Sequence, residues 1–342
     1  MNFILKKNAK HVIFIILLSI MMIITFAFCI SVGSIKINLI EVFKILLRHG
    51  SYDSGNYEII WNIRFPRALG ALIGGSALSV SGLLLQIFFK NPIVEPYVLG
   101  ISSGATLFVA LVMLGGISFG LSLSAPFLIF LAALLGSTLV TIVVLLFANK
   151  VKSIVTLLVI GIMVGYICSA ATSILSTFAT KEELQNFTMW TYGSFSGFTW
   201  KNIHILIFIG IPTLLASMFI IKPLNAFLLG EDYAKSMGIQ IKAFRIAIIL
   251  ISSILAAVVT AFAGPIAFIG LAIPHITRLV FRTSNNIFLI PGSILLGGIV
   301  TSMCDLMSRT LFSPTELPIS AVTSFIGAPI VIFLILKRRT SL

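Results

Sequence analysis

The chain has 342 residues, of which 58% are hydrophobic and 10% charged, and its mean hydropathy is +1.15. A soluble domain carries about 25% charged residues, so this composition excludes an ordinary soluble fold and indicates a polytopic membrane protein. The net charge of +13 does not point to nucleic acid, because the basic residues gather at the ends of apolar runs rather than among exposed aromatics. Cys29, Cys168 and Cys304 fall within apolar runs, without the spacing of a zinc site or a disulfide framework, and read as small hydrophobes.

Hydropathy and helix breakers predict ten spans, over 12–31, 66–89, 97–116, 125–148, 154–178, 202–221, 243–263, 266–281, 289–308 and 318–336. The fold class is therefore an all-α polytopic membrane protein with about ten transmembrane helices, and residues 1–342 read as a single transmembrane domain. The first run follows a lysine-rich stretch like a signal peptide, but it exceeds a typical apolar core and lacks a small-residue cleavage site, so it reads as a span. Between it and the second span, Leu39, Val42, Phe43, Leu46 and Leu47 recur at helical spacing and predict a helix lying along the membrane surface.

The second span is the most informative. Pro66 suits a first helical turn, and Gly70, Gly74, Ala77 and Ser81 form one stripe, with Gly75, Ser79, Gly82 and Gln86 beside it. Small residues let helices approach closely in lipid, so this helix belongs inside a bundle. Arg64 and Arg67 share a face at the end where the dipole of such a helix is positive, so they call for an anionic partner. The fifth span carries Gly161 and Gly165, with Ser169 and Thr172, as a small and mildly polar stripe, consistent either with a pathway lining or with helix packing. Trp190, Tyr192 and Trp200 follow it and fit a headgroup belt or the lining of a mouth.

The loop at 223–241 reads as two short helices broken near Gly230 and ended by Gly238, with Glu231 and Asp232 at the second helix's N-terminus. Leu228, Leu229, Tyr233 and Met237 give it an apolar side. In the last third, Pro265, Gly270 and Pro274 interrupt a short span, which is tolerated where neighbours satisfy the freed backbone groups. His275 and Arg278 read as snorkelling from that span's end. Asp305 and Arg309 sit four apart and can pair on one helix face. An even number of spans puts both termini on one side. With that side cytoplasmic, the larger share of the 23 Lys and Arg lies inside.

Arg64-Phe65-Pro66-Arg67, then Ser81-Gly82, Gln86, Asn91-Pro92, Pro96 and Leu99-Gly100 with Ser102-Ser103-Gly104-Ala105, resemble the signature of FecCD-type permeases, and the similarity continues through 223–245 and 264–339. Members of that family are membrane subunits of ABC importers for ferric siderophores, haem and cobalamin. The resemblance implies a type II ABC importer permease fold, paired with a second permease copy or paralogue, two ATP-binding subunits and an extracytoplasmic substrate-binding protein. It places the chain in the cytoplasmic membrane of a prokaryote, multi-pass, with both termini cytoplasmic.

Residue by residue, the resemblance makes Arg64, Arg67 and Arg309 docking points for the binding protein. It makes Gly230, Glu231, Asp232, Ala234 and Gly238 part of the segment that couples to the ATPase. The turn at Lys152, Ser153, Ile154 and Val155 becomes the cytoplasmic gate, with Gly161, Gly165, Ser169 and Thr172 along the pathway. No G-x-x-x-x-G-K-[ST] phosphate loop occurs, so the chain is expected to be no enzyme and to hold no cofactor, with ATP and Mg on the partner subunit. An iron-siderophore complex is the first expectation for cargo, with haem, cobalamin and oxyanions as alternatives. An ion-coupled secondary transporter would instead show charges near the middle of spans, and an inert membrane scaffold would leave the 223–241 loop without a purpose.

Overall fold

The computed structural model describes residues 2–33, 35, 37–47, 54–116, 125–151 and 153–339. Lys152, named with the gate turn, lies outside them, as do the side chains of Leu39, Phe43 and Leu46. Among the described residues the secondary structure is helical, with no strand. The helices are α1 (Asn2–Ser31), α2 (Leu39–Leu47), α3 (Ser54–Glu58), α4 (Phe65–Phe88), α5 (Ile101–Met113), α6 (Ala125–Lys150), α7 (Ile154–Phe178) and α8 (Lys181–Thr191). They continue with α9 (Trp200–Phe219), α10 (Ile221–Leu228), α11 (Glu231–Ser236), α12 (Ile241–Ala263), α13 (Ile269–Phe281), α14 (Asn286–Thr310) and α15 (Ile319–Arg339).

All ten predicted spans have a helix at their place. Seven are long and apolar enough to cross a membrane, and three apolar helices, 101–113, 269–281 and 319–332, are shorter. Thirteen residues make about 20 Å of helix, less than a hydrocarbon core of about 30 Å. The backbone before α5 is a 3-10 turn, Pro96–Leu99, and that before α13 is an irregular stretch with Phe268 in the left-handed region at φ 68°. The two stretches pack together: a Cβ on Gly270 would lie 2.9 Å from the Pro96 ring, so irregular backbone at both places is enclosed by protein.

The pillar of the bundle is α4, and its small residues explain why. A Cβ on Gly82 would lie 1.8 Å from the Gly270 carbonyl of α13, and one on Gly75 would lie 2.4 Å from the Gly297 carbonyl of α14. Backbone therefore meets backbone at both crossings. Ser76 donates to the Ile294 carbonyl of α14 at 2.7 Å and Ser81 to the Ser252 carbonyl of α12 at 2.7 Å. Gly70 and Gly74 receive the rings of Phe198 and Phe195, which lie between α8 and α9 and are fully or almost fully buried.

One expectation about α4 is corrected. Pro66 stands in the first turn of α4, but no free helix end lies there: a π turn, Ile59–Arg64, joins α3 to α4, and the helical run extends from Gly55 to Phe88. Proline removes one backbone donor and crowds the preceding turn, and the wider turn accommodates both effects. Arg64 and Arg67 therefore lie well inside a helix, not at its positive end.

The surface helix α2 buries Val42 and Ile45 and leaves Leu47 exposed. Helix α8 opens with a capping box, in which Thr180 and Glu183 each accept from the other's backbone N–H.

Candidate functional site

Two groups of residues mark opposite ends of α4. At the Arg67 end, three arginines and two acids come together from three stretches of the chain, 64–67, 305–309 and 316. Arg67 donates through Nε to Asp305 Oδ2 at 3.0 Å, and through Nη1 and Nη2 to the two Glu316 oxygens at 2.8 and 3.1 Å. Arg309 Nε lies 3.8 Å from Asp305 Oδ2, so the four-apart pair read from the sequence is present but looser than the contact Asp305 makes with Arg67.

The other guanidinium groups close the end of α1. A helix leaves its last carbonyls without intrahelical partners, and cations suit that negative end. Arg64 Nη1 donates to the Ile30 and Ser31 carbonyls at 3.2 and 2.9 Å, its Nη2 donates to Ile35, and Arg309 Nη2 donates to Cys29. The dipole that accounts for Arg64 is thus that of α1. All three arginines are buried, at 4%, 6% and 7% exposure, whereas the Glu316 side chain is 43% exposed.

Above this cluster, Trp61, Phe65 and Trp200 stack, and Trp200 Nε1 donates to the Trp61 carbonyl at 2.9 Å. Two of the three aromatics noted after the fifth span, Trp190 and Trp200, are half-buried against protein, and Tyr192 is exposed.

At the Phe88 end, α10 and α11 form the expected pair of short helices. Phe227 of α10 stacks on Phe88, and Ala234 of α11 is fully buried. Gly230 and Gly238 have φ of 129° and 82°, conformations that side-chain-bearing residues rarely adopt, so both breaks need glycine. Glu231 and Asp232 occupy the first turn of α11, and Leu228, Leu229, Tyr233 and Met237 are exposed, at 42%, 69%, 47% and 60%.

Sequence reasoning missed the polar knot that holds this elbow. Asn225 donates to Asn285 Oδ1 at 2.9 Å and accepts from the Asn286 backbone N–H and side chain at 3.0 and 2.9 Å, which ties α10 to the start of α14. Gln86 and Arg278, 192 positions apart in the chain, also meet. Arg278 donates to Gln86 Oε1 at 2.8 Å, a protein contact in place of the snorkelling expected.

Along α7, Ser153 caps the helix by accepting from Thr156, Ile154 is half-buried and Val155 is 67% exposed. Gly161 and Gly165 face inward: a Cβ on either would lie 3.1 and 3.4 Å from the Cα atoms of Leu99 and Gly100. The glycines pack closely on the turn before α5, as the helix-packing reading of their stripe allows. Ser169 is exposed and Thr172 half-buried, with the Thr172 hydroxyl donating to the Cys168 carbonyl. Among the described residues no three His, Cys, Asp or Glu gather as a metal site.

A bundle of apolar helices, crossed backbone to backbone and carrying an exposed elbow at one end, defines a membrane permease subunit. The chain belongs to the FecCD transport family, whose model matches residues 21–337, and it is an ABC importer permease of that family. An ABC transporter permease of Methanocaldococcus jannaschii is 33% identical over 339 residues, covering 96% of this chain and 95% of its own length. The vitamin B12 import system permease BtuC of Salmonella typhi is 37% identical over 291 residues, covering 84% and 87%. Among solved structures, a metal-chelate-type ABC transporter in an inward-facing conformation superposes with a TM-score of 0.81 at 30% identity, covering 95% of this chain and 99% of that one. PsaBC from Streptococcus pneumoniae, in complex with Fab, shares the fold at a TM-score of 0.51 and 14% identity, covering 79% and 90%.

Proposed function

We propose that the chain carries an iron-siderophore-type complex inward across the cytoplasmic membrane of a prokaryote, as one of two permease copies or as one of a pair with a paralogue. The observation that carries this reading is the separation of the two groups. The arginine cluster lies at one end of α4 and the apolar elbow packs on Phe88 at the other, about 30 Å away along the helix.

In this reading both termini and the elbow are cytoplasmic. Two ATP-binding subunits, holding ATP and Mg, dock on Leu229, Tyr233 and the first turn of α11. An acidic substrate-binding protein docks over Arg64, Arg67 and Arg309, its carboxylates taking the guanidinium edge that Glu316 covers. The turn at Ser153, Ile154 and Val155 narrows the inner end, and Ser169 and Thr172 face the route. ATP binding shifts the population of inward- and outward-open states through differential affinity for the two.

A bulky metal chelate is supported by the metal-chelate-type transporter of similar structure, and the similarity to BtuC favours cobalamin as the second reading. Binding of ferric siderophore against cobalamin by the cognate carrier separates them. The machinery is tested by Leu229→Glu, which alters a side chain 69% exposed and leaves the core untouched. The variant is expected to insert normally but to lose co-purification with the ATPase and ATP-driven uptake in proteoliposomes. Uptake driven by an ion gradient without any ATPase would replace this reading with secondary transport.

A further inference from the structure

We infer that Arg245 is a positioning residue that links the ATPase-facing elbow to the turn between α6 and α7. The inference rests on the reading just given, in which the elbow receives ATP-driven movement and that turn narrows the route. It adds the side chain through which the two communicate.

Arg245 lies in the second turn of α12 and is 7% exposed. Its Nη1 donates to the Val151 carbonyl at 2.8 Å and reaches the Ala148 carbonyl at 3.5 Å. These groups belong to the last turn of α6 and the residue just beyond it, two positions before Ser153. Its Nη2 lies 3.7 Å from Glu231 Oε1, on the first residue of α11. One planar guanidinium therefore touches both the start of the elbow's second helix and the backbone that leads into the turn.

The two contacts differ in strength in a way that suits a link. On the α6 side a buried cation meets carbonyl groups at a helix C-terminus, where orphan acceptors and the dipole both hold it. On the α11 side the Glu231 side chain is 41% exposed, and an ion pair in such a setting is weak and readily remade. Arg245 thus moves with α6 and α12, while displacement of α11 makes or breaks its outer contact. Arginine suits this because its fork presents several donors in fixed directions, whereas lysine is a point charge that serves one partner at a time. The second tie of the elbow, Asn225 to Asn285 and Asn286, leads to α14 and leaves the α6–α7 turn untouched.

The test uses the whole complex, permease with its ATPase, in proteoliposomes. A Thr156→Cys reporter sits exposed on the first turn of α7, and the three native cysteines are buried. Its labelling rate is read with and without ATP, together with cargo moved per ATP hydrolysed. Arg245→Lys keeps the cation under α6 but cannot span both partners. It is expected to retain ATP turnover while the ATP-dependent change in labelling and the cargo per ATP both fall about threefold, within the range an exposed ion pair supplies. Glu231→Gln, which also alters the docking face, should lower both readouts at least as far, and adding Arg245→Lys to it should cost nothing further, because both cut one connection.

Unchanged labelling response and cargo per ATP in Arg245→Lys, or additive losses in the double variant, would overturn the link. If Arg245→Lys does not assemble, Arg245→Gln, which keeps a side-chain donor for the α6 carbonyls and drops the ion pair, decides by the same readouts. A wild-type reporter that ATP does not move would overturn the ATP-driven reading itself, and the link with it. A responsive wild type with unaffected variants would overturn the link alone.

Discussion

At the scale of single residues, burial decides which charges hold the protein together. Asp305 is 2% exposed and lies between Arg67 and Arg309, so removing it leaves two buried cations short of their counter-ion. Breaking a buried pair in this way costs about 3–5 kcal/mol, whereas a half-exposed partner contributes about 0–1 kcal/mol. Asp305→Ala is therefore expected to lower the thermal unfolding midpoint in detergent strongly, and Glu316→Gln to leave it nearly unchanged. Equal midpoints for the two would show that the cluster does not support the fold. The need of Arg64 and Arg67 for a negative partner was legible in the sequence, and so was the Asp305–Arg309 spacing. What could not be read was that the partner of Arg64 is the carbonyl end of α1 and that Arg67 reaches Asp305 across 238 positions of sequence. Local periodicity carries no information about pairings at that distance.

At the scale of elements, agreement and disagreement with the sequence have separate physical causes. The bounds of α7 match the apolar run 154–178, because a capping serine and the end of the apolar run fix both ends locally. The helix that begins α4 around Pro66 continues upstream through a widened turn, which the sequence does not show because proline is compatible with a first turn and with a widened turn alike. The glycines fall into two kinds with opposite consequences. Gly82→Leu would drive a side chain into the Gly270 carbonyl and is expected to prevent α4 and α13 from closing, seen as loss of monodisperse protein on size exclusion. Gly238→Val meets nothing within 4 Å, but its φ of 82° imposes about 1–3 kcal/mol of strain confined to one turn. The protein should stay folded while ATP-driven uptake falls several-fold. A monodisperse Gly82→Leu would refute the close crossing.

For the whole molecule, the reading depends on two ends facing two compartments. Glu316 and Glu231 are both partly exposed, so cysteines placed there can report on the water they face. A membrane-impermeant thiol reagent is expected to reach Glu316→Cys from outside the cell and Glu231→Cys only from within. Labelling of both from one side would contradict the arrangement. Bundle membership and the two-helix elbow were legible because they rest on small-residue stripes and glycine breaks. Assembly of the interior was not, since the dip of Phe195 and Phe198 against α4 lies in a segment with no periodic pattern. The widened turn at 59–64 carries one residue more than the α-helical pitch needs and absorbs it locally. Excising the exposed Ile63 would restore ordinary pitch, and because the wide turn already absorbs the extra residue, the helix on either side would keep nearly the same facing. The aromatic crown and the charged clasp therefore share one mounting, since Trp61 and Arg64 both belong to that turn and Phe65 follows it directly.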